Sequence, residues 1–332
     1  MLDEVINMKR IQYSVYKRET GSASGKAKND IFDILSEEGF EPSYTPSNNR
    51  YIRVAQQIKS IIAINKDTDL VVQYPTISNN VMKLLCKKMQ RVVKTTAIIH
   101  DIPSIQGMGG DRSRESKELS YFDNIIVHNR KMGEYLKSNG YRGRIVELEL
   151  FDYLHDATRE ITSCNGEGII SIAGNLDKSK YILELNKINK CRFNLYGINN
   201  TLDLSSVNNA NYLGLLSSEE IVYKLEGDYG LVWDGDSITE CSGIHGRYLK
   251  YNNPHKLSLY IAAGKPVITW KKAAIADFVE KENIGITVDS LEELNNIDLK
   301  KEYWDKRKNV LKLKKRIAEG YYTKKAIRLI YK

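Results

Sequence analysis

Short apolar runs, each the length of one buried strand, alternate with amphipathic helical stretches along this chain. The clearest example lies between Tyr229 and Trp270. A buried strand (Tyr229–Trp233) is followed by a long polar loop, a helix opening at Pro254–His255–Lys256, and a second buried strand (Pro266–Trp270). Apolar strands joined through helices predict parallel sheets with crossover connections, because adjacent parallel strands need a long link between them.

The alternation falls into two series. The first predicts strands at Arg10–Tyr16, Asp69–Tyr74, Thr95–His100, Asn124–His128 and Arg144–Leu148, with helices at Ala27–Glu38, Tyr51–Ile64, Ser78–Gln90 and Lys131–Asn139. The second predicts strands at Gly168–Ala173, Arg192–Tyr196, Tyr229–Trp233, Pro266–Trp270 and Gly285–Val288. Its helices are expected at Lys178–Lys187, Ser218–Lys224, His255–Ala263, Ala274–Lys281 and Ser290–Asn296. A joint near residue 155 separates the two. The expected architecture is α/β: two Rossmann-like domains (1–154 and 155–312) facing a cleft, with a C-terminal helical tail (313–332) packing back on the first.

At 332 residues and 42% hydrophobic content, the chain can bury two ordinary cores. No window approaches the roughly 18–20 apolar residues of a membrane span, and the start MLDEVINMKR lacks the apolar core of a signal peptide. The expected location is cytoplasmic. Cys86, Cys164, Cys191 and Cys241 show no CxxC spacing, which argues against a zinc site or disulfide framework. Net charge is +8, with much of the excess in residues 300–332. That run reads as a solvated helical face, or as a peripheral contact with the inner face of an anionic membrane. Nucleic-acid binding rests on charge alone and is not expected.

Polar groups gather at the carboxyl end of the Tyr229–Trp233 strand and at the amino end of the next helix, where open α/β sheets bind ligands. A helix amino terminus offers free N–H groups and a positive dipole end, so His255, Lys256, Leu257 and Ser258 form a candidate diphosphate site. Gly174–Asn175–Leu176–Asp177–Lys178 forms a second strand–turn–helix start. There Gly174 allows the tight turn, Asn175 caps a helix and Lys178 can face phosphate. Asp234–Gly235–Asp236 looks like a metal-holding DxD. Lys256 supplies the cation instead, so no metal is expected, and Asp234 and Asp236 are assigned to ribose or sugar hydroxyls or to a structural turn.

In the first series, Gly21–Lys26 suggests a Walker A loop but is one residue short, and Ala27 stands where Ser or Thr should bind magnesium. Gly21, Ser22 and Gly25 are expected in a flexible loop over an acceptor sugar, or in an ordinary connector. His100–Asp101 ends a strand before Pro103 and a glycine-rich stretch. Asp101 is either a general base or a turn cap, and His100 either its substitute or a satisfied half-buried residue. His128–Asn129 ends the next strand, to bind acceptor hydroxyls or to cap the following helix.

At these residues the chain resembles the bacterial β-1,6-galactofuranosyltransferases of surface polysaccharide assembly. It is more distantly similar to the glucosyltransferases that extend serine-rich adhesin glycans. The resemblance rests on GLVWDGDSITECSG and YLKYNNPHKLSLYIAAGKPVITWKKAAIADF, supported by IIHDI, VHNRKMGEYL, the FDYL hinge at Phe151–Leu154 and AGNLDKSK. It implies a GT-B fold, a UDP-sugar donor in the second domain, no metal or other cofactor, and self-association. Asn175, Lys178 and Lys256 would lie near the diphosphate, with Tyr196 or its neighbours near uridine. The first domain would hold the glycan acceptor, a lipid-linked oligosaccharide or glycoprotein. An inverting transfer would use Asp101 or His100 as base. The alternatives are a glucosyl- or N-acetylglucosaminyltransferase of an adhesin glycan, and a non-catalytic nucleotide-sugar-binding partner of a transferase complex.

Overall fold

The computed structural model describes residues 8–13, 23–75, 79–107 and 109–331. One compact unit takes in Lys28–Leu148 together with the strand Lys9–Tyr13 and the residues from Thr323 onward; the other takes in Glu149–Tyr322 and residues 23–27.

The elements of the first sheet and its helices run β1 (Lys9–Tyr13), α1 (Ala23–Glu37), β2 (Glu41–Pro42), α2 (Arg50–Ala63), β3 (Thr68–Tyr74) and α3 (Asn79–Met89). They continue with β4 (Lys94–Ile99), α4 (Pro103–Gln106), α5 (Arg112–Leu119), β5 (Asn124–Val127), α6 (Arg130–Ser138) and β6 (Arg144–Glu147). The strands lie in the order β2-β1-β3-β4-β5-β6, every pairing parallel. β3 is buried along its whole length, as a central parallel strand covered on both faces should be. Leu70, Val72, Ala97, Ile99, Ile125 and Val127 pack with Leu85 and Met89 of α3 into one apolar core.

The second series runs β7 (Ile170–Asn175), β8 (Phe193–Ile198), β9 (Ala210–Tyr212), α7 (Ile221–Lys224), β10 (Tyr229–Val232), α8 (Gly243–Tyr248) and α9 (His255–Ala262). It closes with β11 (Val267–Trp270), α10 (Ala276–Lys281), β12 (Gly285–Val288), α11 (Leu299–Ala318) and α12 (Tyr321–Tyr331). Its strand order is β12-β11-β10-β7-β8-β9, again all parallel. From β7 the chain winds outward through β8 and β9, then returns to β10 on the other side. The topological switch therefore lies between β7 and β10, and a crevice opens beyond their carboxyl ends.

Several local expectations are corrected. Lys178–Lys187 and Ser290–Asn296 are not α-helices but 3-10 stretches, Leu176–Lys178 with Lys180–Lys187, and Leu291–Asn295. In the long loop after β10 lies α8. The stretch after Asp101 is not a glycine-rich loop throughout. Pro103 starts α4, Gly107 ends it with φ +78°, and Asp111 caps α5 by accepting from the Arg114 N–H. Among the described residues, no helix is long and apolar enough to cross a membrane.

The basic run 300–332 is mostly helix with its own packing. Tyr303, Val310, Leu313 and Ile317 of α11 are buried. Lys306 pairs with Glu302 at 3.0 Å, Lys324 with Glu37 at 2.7 Å, and Arg328 makes a two-pronged contact with Glu38. Several cations expected to face a membrane are thus held by carboxylates of the protein.

Candidate functional site

The crevice at the β7/β10 switch is built by close backbone approach. Gly174 and Gly197 pair across β7 and β8 at the end of the ladder. Gly197 has φ +137°, and a Cβ there would stand 1.6 Å from the Gly174 carbonyl oxygen. No other residue fits. Gly174 has φ +134°, and its missing side chain leaves room for Lys256, whose Cε would lie 3.2 Å from an added Cβ.

Lys256 stands in the first turn of α9. Its Nζ lies 2.6 Å from Asp234 Oδ1, on the loop that leaves β10. The same loop is braced by Trp233, whose indole N–H donates to the Ser237 carbonyl at 2.9 Å. Asp236 is exposed and turned toward the start of α8, where a Cβ on Gly243 would meet its Oδ2 at 2.7 Å. Among the described residues, no three His, Cys, Asp or Glu side chains are grouped to hold a metal ion. The DxD-like triplet instead presents one carboxylate to a lysine.

A cavity of about 430 Å³ opens here, within the range of small-molecule sites. Gly174, Asn175, Lys178, Tyr196, His255 and Lys256 all line it. Asn175 Oδ1 accepts from the Asp177 N–H at 3.1 Å. The Asp177 carboxylate in turn accepts from the Asn200 and Thr201 N–H groups, both at 2.9 Å, and so fixes the loop after β8. Lys178 is exposed beside the cavity. The Tyr196 hydroxyl accepts from the Glu226 N–H at 2.9 Å, so its ring faces the cavity wall while its oxygen is committed to the fold.

At Leu257 and Ser258 the fold already engages part of the polar capacity expected for phosphate. The Leu257 N–H donates to the Pro254 carbonyl at 3.0 Å, and the Ser258 hydroxyl to the Phe151 carbonyl at 2.7 Å. Both side chains are buried. His255 has a different setting. Its ring stacks on Tyr153 at 5.0 Å and 24° and meets Phe151 edge-on at 6.0 Å. Burial, reinforced by the Lys26 ammonium, pushes its imidazole down to about 3, and its Nε2 has no hydrogen-bond partner. His255 is therefore neutral at physiological pH.

Sequence reasoning missed two groups here. Lys26 donates to the Leu154 carbonyl at 2.7 Å and sits 4.5 Å from the Tyr153 ring centroid. Its signal was the lysine closing the false Walker match. Ile198, Leu215, Leu216 and Ile221 form an apolar wall that no motif marks.

In the first unit, Gln73 orients the His100 ring at the end of β4. Its Nε2 donates to the Lys28 carbonyl at 3.2 Å, which turns its Oε1 toward His100 Nε2 at 2.7 Å. With that oxygen accepting, Nε2 carries the hydrogen and the neutral ring keeps its lone pair on Nδ1. Asp101 is half-buried, accepts from Gln106 Nε2 at 3.2 Å, and lies within electrostatic reach of Lys28, whose amine is pushed down by burial against the pull of Asp101. His128 is corrected. It is buried, its Nε2 lies 3.0 Å from the Ile99 carbonyl, and desolvation pushes it down to about 4. It joins strands rather than binding acceptor. Asn129 caps α6, accepting from the Met132 N–H at 3.0 Å. Gly25 lies buried inside α1, not in a flexible loop. Gly21 and Ser22 lie outside the described residues.

The family model described as glucosyltransferase 3-like, N-terminal domain, matches residues 11–150, and its C-terminal counterpart matches residues 170–330. The chain is 34% identical over 292 residues to the β-1,6-galactofuranosyltransferase WbbI of Escherichia coli (strain K12), covering 83% of each chain. Over 123 residues, 36% of each chain, it is 33% identical to glucosyltransferase 3 of Streptococcus gordonii. Among solved structures, sucrose-phosphate synthase from Thermosynechococcus elongatus superposes with a TM-score of 0.64 at 11% identity, over 97% of this chain and 99% of the other. At that identity the likeness is one of fold, and the fold is GT-B.

Proposed function

Because this chain belongs to the glucosyltransferase 3-like family of GT-B glycosyltransferases, we propose that it transfers galactofuranose from UDP-galactofuranose to a glycan acceptor, with inversion and without a metal. The observation that carries the donor half is the cavity at the β7/β10 switch, where Lys256 opens α9 beside Gly174 and Asn175. A diphosphate there meets the positive end of a helix, the Lys256 ammonium and the exposed Lys178. These cations stabilise charge as it builds on the departing UDP, the role a metal plays elsewhere. The apolar wall of Ile198, Leu215 and Ile221 beside the Tyr196 ring suits the flat uracil face. Asp234, already drawn to Lys256, is assigned to sugar or ribose hydroxyls.

The acceptor half is assigned to the first unit. Asp101 is the base that takes the proton from the attacking hydroxyl as that oxygen bonds to the anomeric carbon and UDP leaves. Support for Asp101 is its half-buried carboxylate just past the carboxyl end of β4, held by Gln106 and within electrostatic reach of Lys28. The similarity to the galactofuranosyltransferase favours a glycan of surface polysaccharide assembly as acceptor, presented as a lipid-linked oligosaccharide.

The test is a donor screen by calorimetry and UDP release without added metal, using UDP-galactofuranose, UDP-galactose, UDP-glucose and UDP-N-acetylglucosamine. Preferred binding and hydrolysis of UDP-galactofuranose is the expected result. Preference for UDP-glucose would move the chain to the adhesin-glycan activity, and tight UDP binding without turnover of any donor would make it a non-catalytic partner.

A further inference from the structure

Helix α2 wears its apolar side chains outward. Tyr51, Val54, Ile58 and Ile62 recur at spacings that place them on one stripe. They are 84%, 37%, 38% and 64% exposed. The face turned inward is half polar: Gln57 and Ser60 are buried beside Ile61, with Gln57 Nε2 donating to the Tyr44 hydroxyl at 3.3 Å. A helix that only covered its sheet would show the reverse pattern. The stripe extends toward α3, because Lys88 Nζ donates to the Ile62 carbonyl at 2.9 Å and Leu84, one turn before Lys88, is also exposed. A contiguous exposed apolar strip of this kind marks an interaction surface.

Charge decides among its occupants. The two helices carry Arg50, Arg53, Lys59, Lys83, Lys87 and Lys88 and no Asp or Glu. A second copy docking by two-fold symmetry would bring this cationic face against itself, at a repulsive cost. An anionic lipid surface meets both features, with apolar side chains entering the headgroup boundary and the rimming cations drawn to lipid phosphates. We infer that the α2–α3 face of the first unit docks onto an anionic lipid surface. The basic residues of α11 and α12 are not needed for this contact. The inference does not depend on the donor assignment.

The test is co-sedimentation of the full chain with phosphatidylcholine vesicles, with and without about one third phosphatidylglycerol. Binding is expected only to the anionic vesicles, and it should be lost when salt shortens the screening length to a few ångströms. A Tyr51→Ser, Ile58→Gln, Ile62→Gln variant should bind at least about tenfold more weakly, since each buried apolar side chain removed loses more than that factor's share of transfer energy. Lys59→Glu with Lys87→Glu should cost about fivefold or more per cation. Lys308→Glu with Lys312→Glu, on exposed positions of α11, should leave binding unchanged. All these positions are solvent-exposed, so each variant should melt with the parent and hydrolyse soluble donor at the parent rate. Equal affinity for neutral and anionic vesicles, or none for either, overturns the inference. So does a stripe variant that keeps vesicle binding while its sedimentation coefficient falls, which would assign the stripe to a second copy.

Discussion

Lys256 Nζ and Asp234 Oδ1 stand 2.6 Å apart within the connection that leaves β10, beside the switch point of the second sheet. Their side chains are 21% and 23% exposed, so the pair is partly screened and contributes modestly to stability. Its consequence is positional. It holds a cation at the mouth of the crevice, for which the diphosphate of the proposed donor would compete with Asp234.

Removing that cation should therefore damage chemistry more than folding. Lys256→Ala is expected to lower the rate of UDP release by about 100- to 1,000-fold, the usual scale for losing one preorganised group that stabilises developing charge. Melting temperature should move little. Near-normal turnover in a folded Lys256→Ala protein would remove the residue from the mechanism.

Asp234→Asn separates the two partners. With the competing carboxylate gone, UDP alone should bind several-fold more tightly by calorimetry, while transfer from the complete donor slows. If UDP affinity instead drops, Asp234 is organising the lysine rather than competing for it.

The paired glycines should respond unequally. A Cβ at Gly197 collides with the Gly174 carbonyl oxygen, so Gly197→Ala should give little folded protein. At Gly174 the collision is with the flexible end of Lys256, and Gly174→Ala should fold with reduced stability and weakened UDP binding. Equal behaviour of the two in expression and thermal melting would contradict this geometry.

Asp101→Asn keeps the size of the side chain and its contact with Gln106 but removes the base. Calorimetry should show unchanged UDP affinity, and product analysis should show transfer lost by about 100-fold or more. Retained transfer would exclude Asp101 as the base.

Two buried imidazoles set an acid limit on stability. Desolvation holds His128 near 4, and desolvation with the Lys26 charge holds His255 near 3, against an ordinary value of 6.5. Below pH 6.5 the unfolded chain binds protons that the folded chain refuses. Stability is therefore independent of these groups above that pH and is lost as pH falls from 6.5 toward 4, by up to about 1.4 kcal/mol per pH unit for each imidazole. Melting temperature should decline through this window, and His128→Gln should flatten the decline. A flat profile from pH 7 to 4.5 would show that neither ring stays neutral.

Ten strands were legible in the sequence because each is a short apolar run bounded by polar or glycine residues, a signal carried by neighbours in the chain; the edge strands Glu41–Pro42 and Ala210–Tyr212 carry no such run and were not read. Thr68–Tyr74 and Gly285–Val288 could be read almost to the residue for that reason. The start of α9 was legible too, from Pro254 and Lys256 alone. Features that depend on partners distant in sequence were not. No local pattern says that Gln73 turns its oxygen toward His100, that Ser258 spends its hydroxyl on Phe151, or that Lys26 reaches the Tyr153 ring. The residues of the crevice and their order along the chain were thus set by sequence alone. Which of them remain available to a ligand was decided by tertiary structure, because a polar group's availability depends on whether folding has already supplied it a partner.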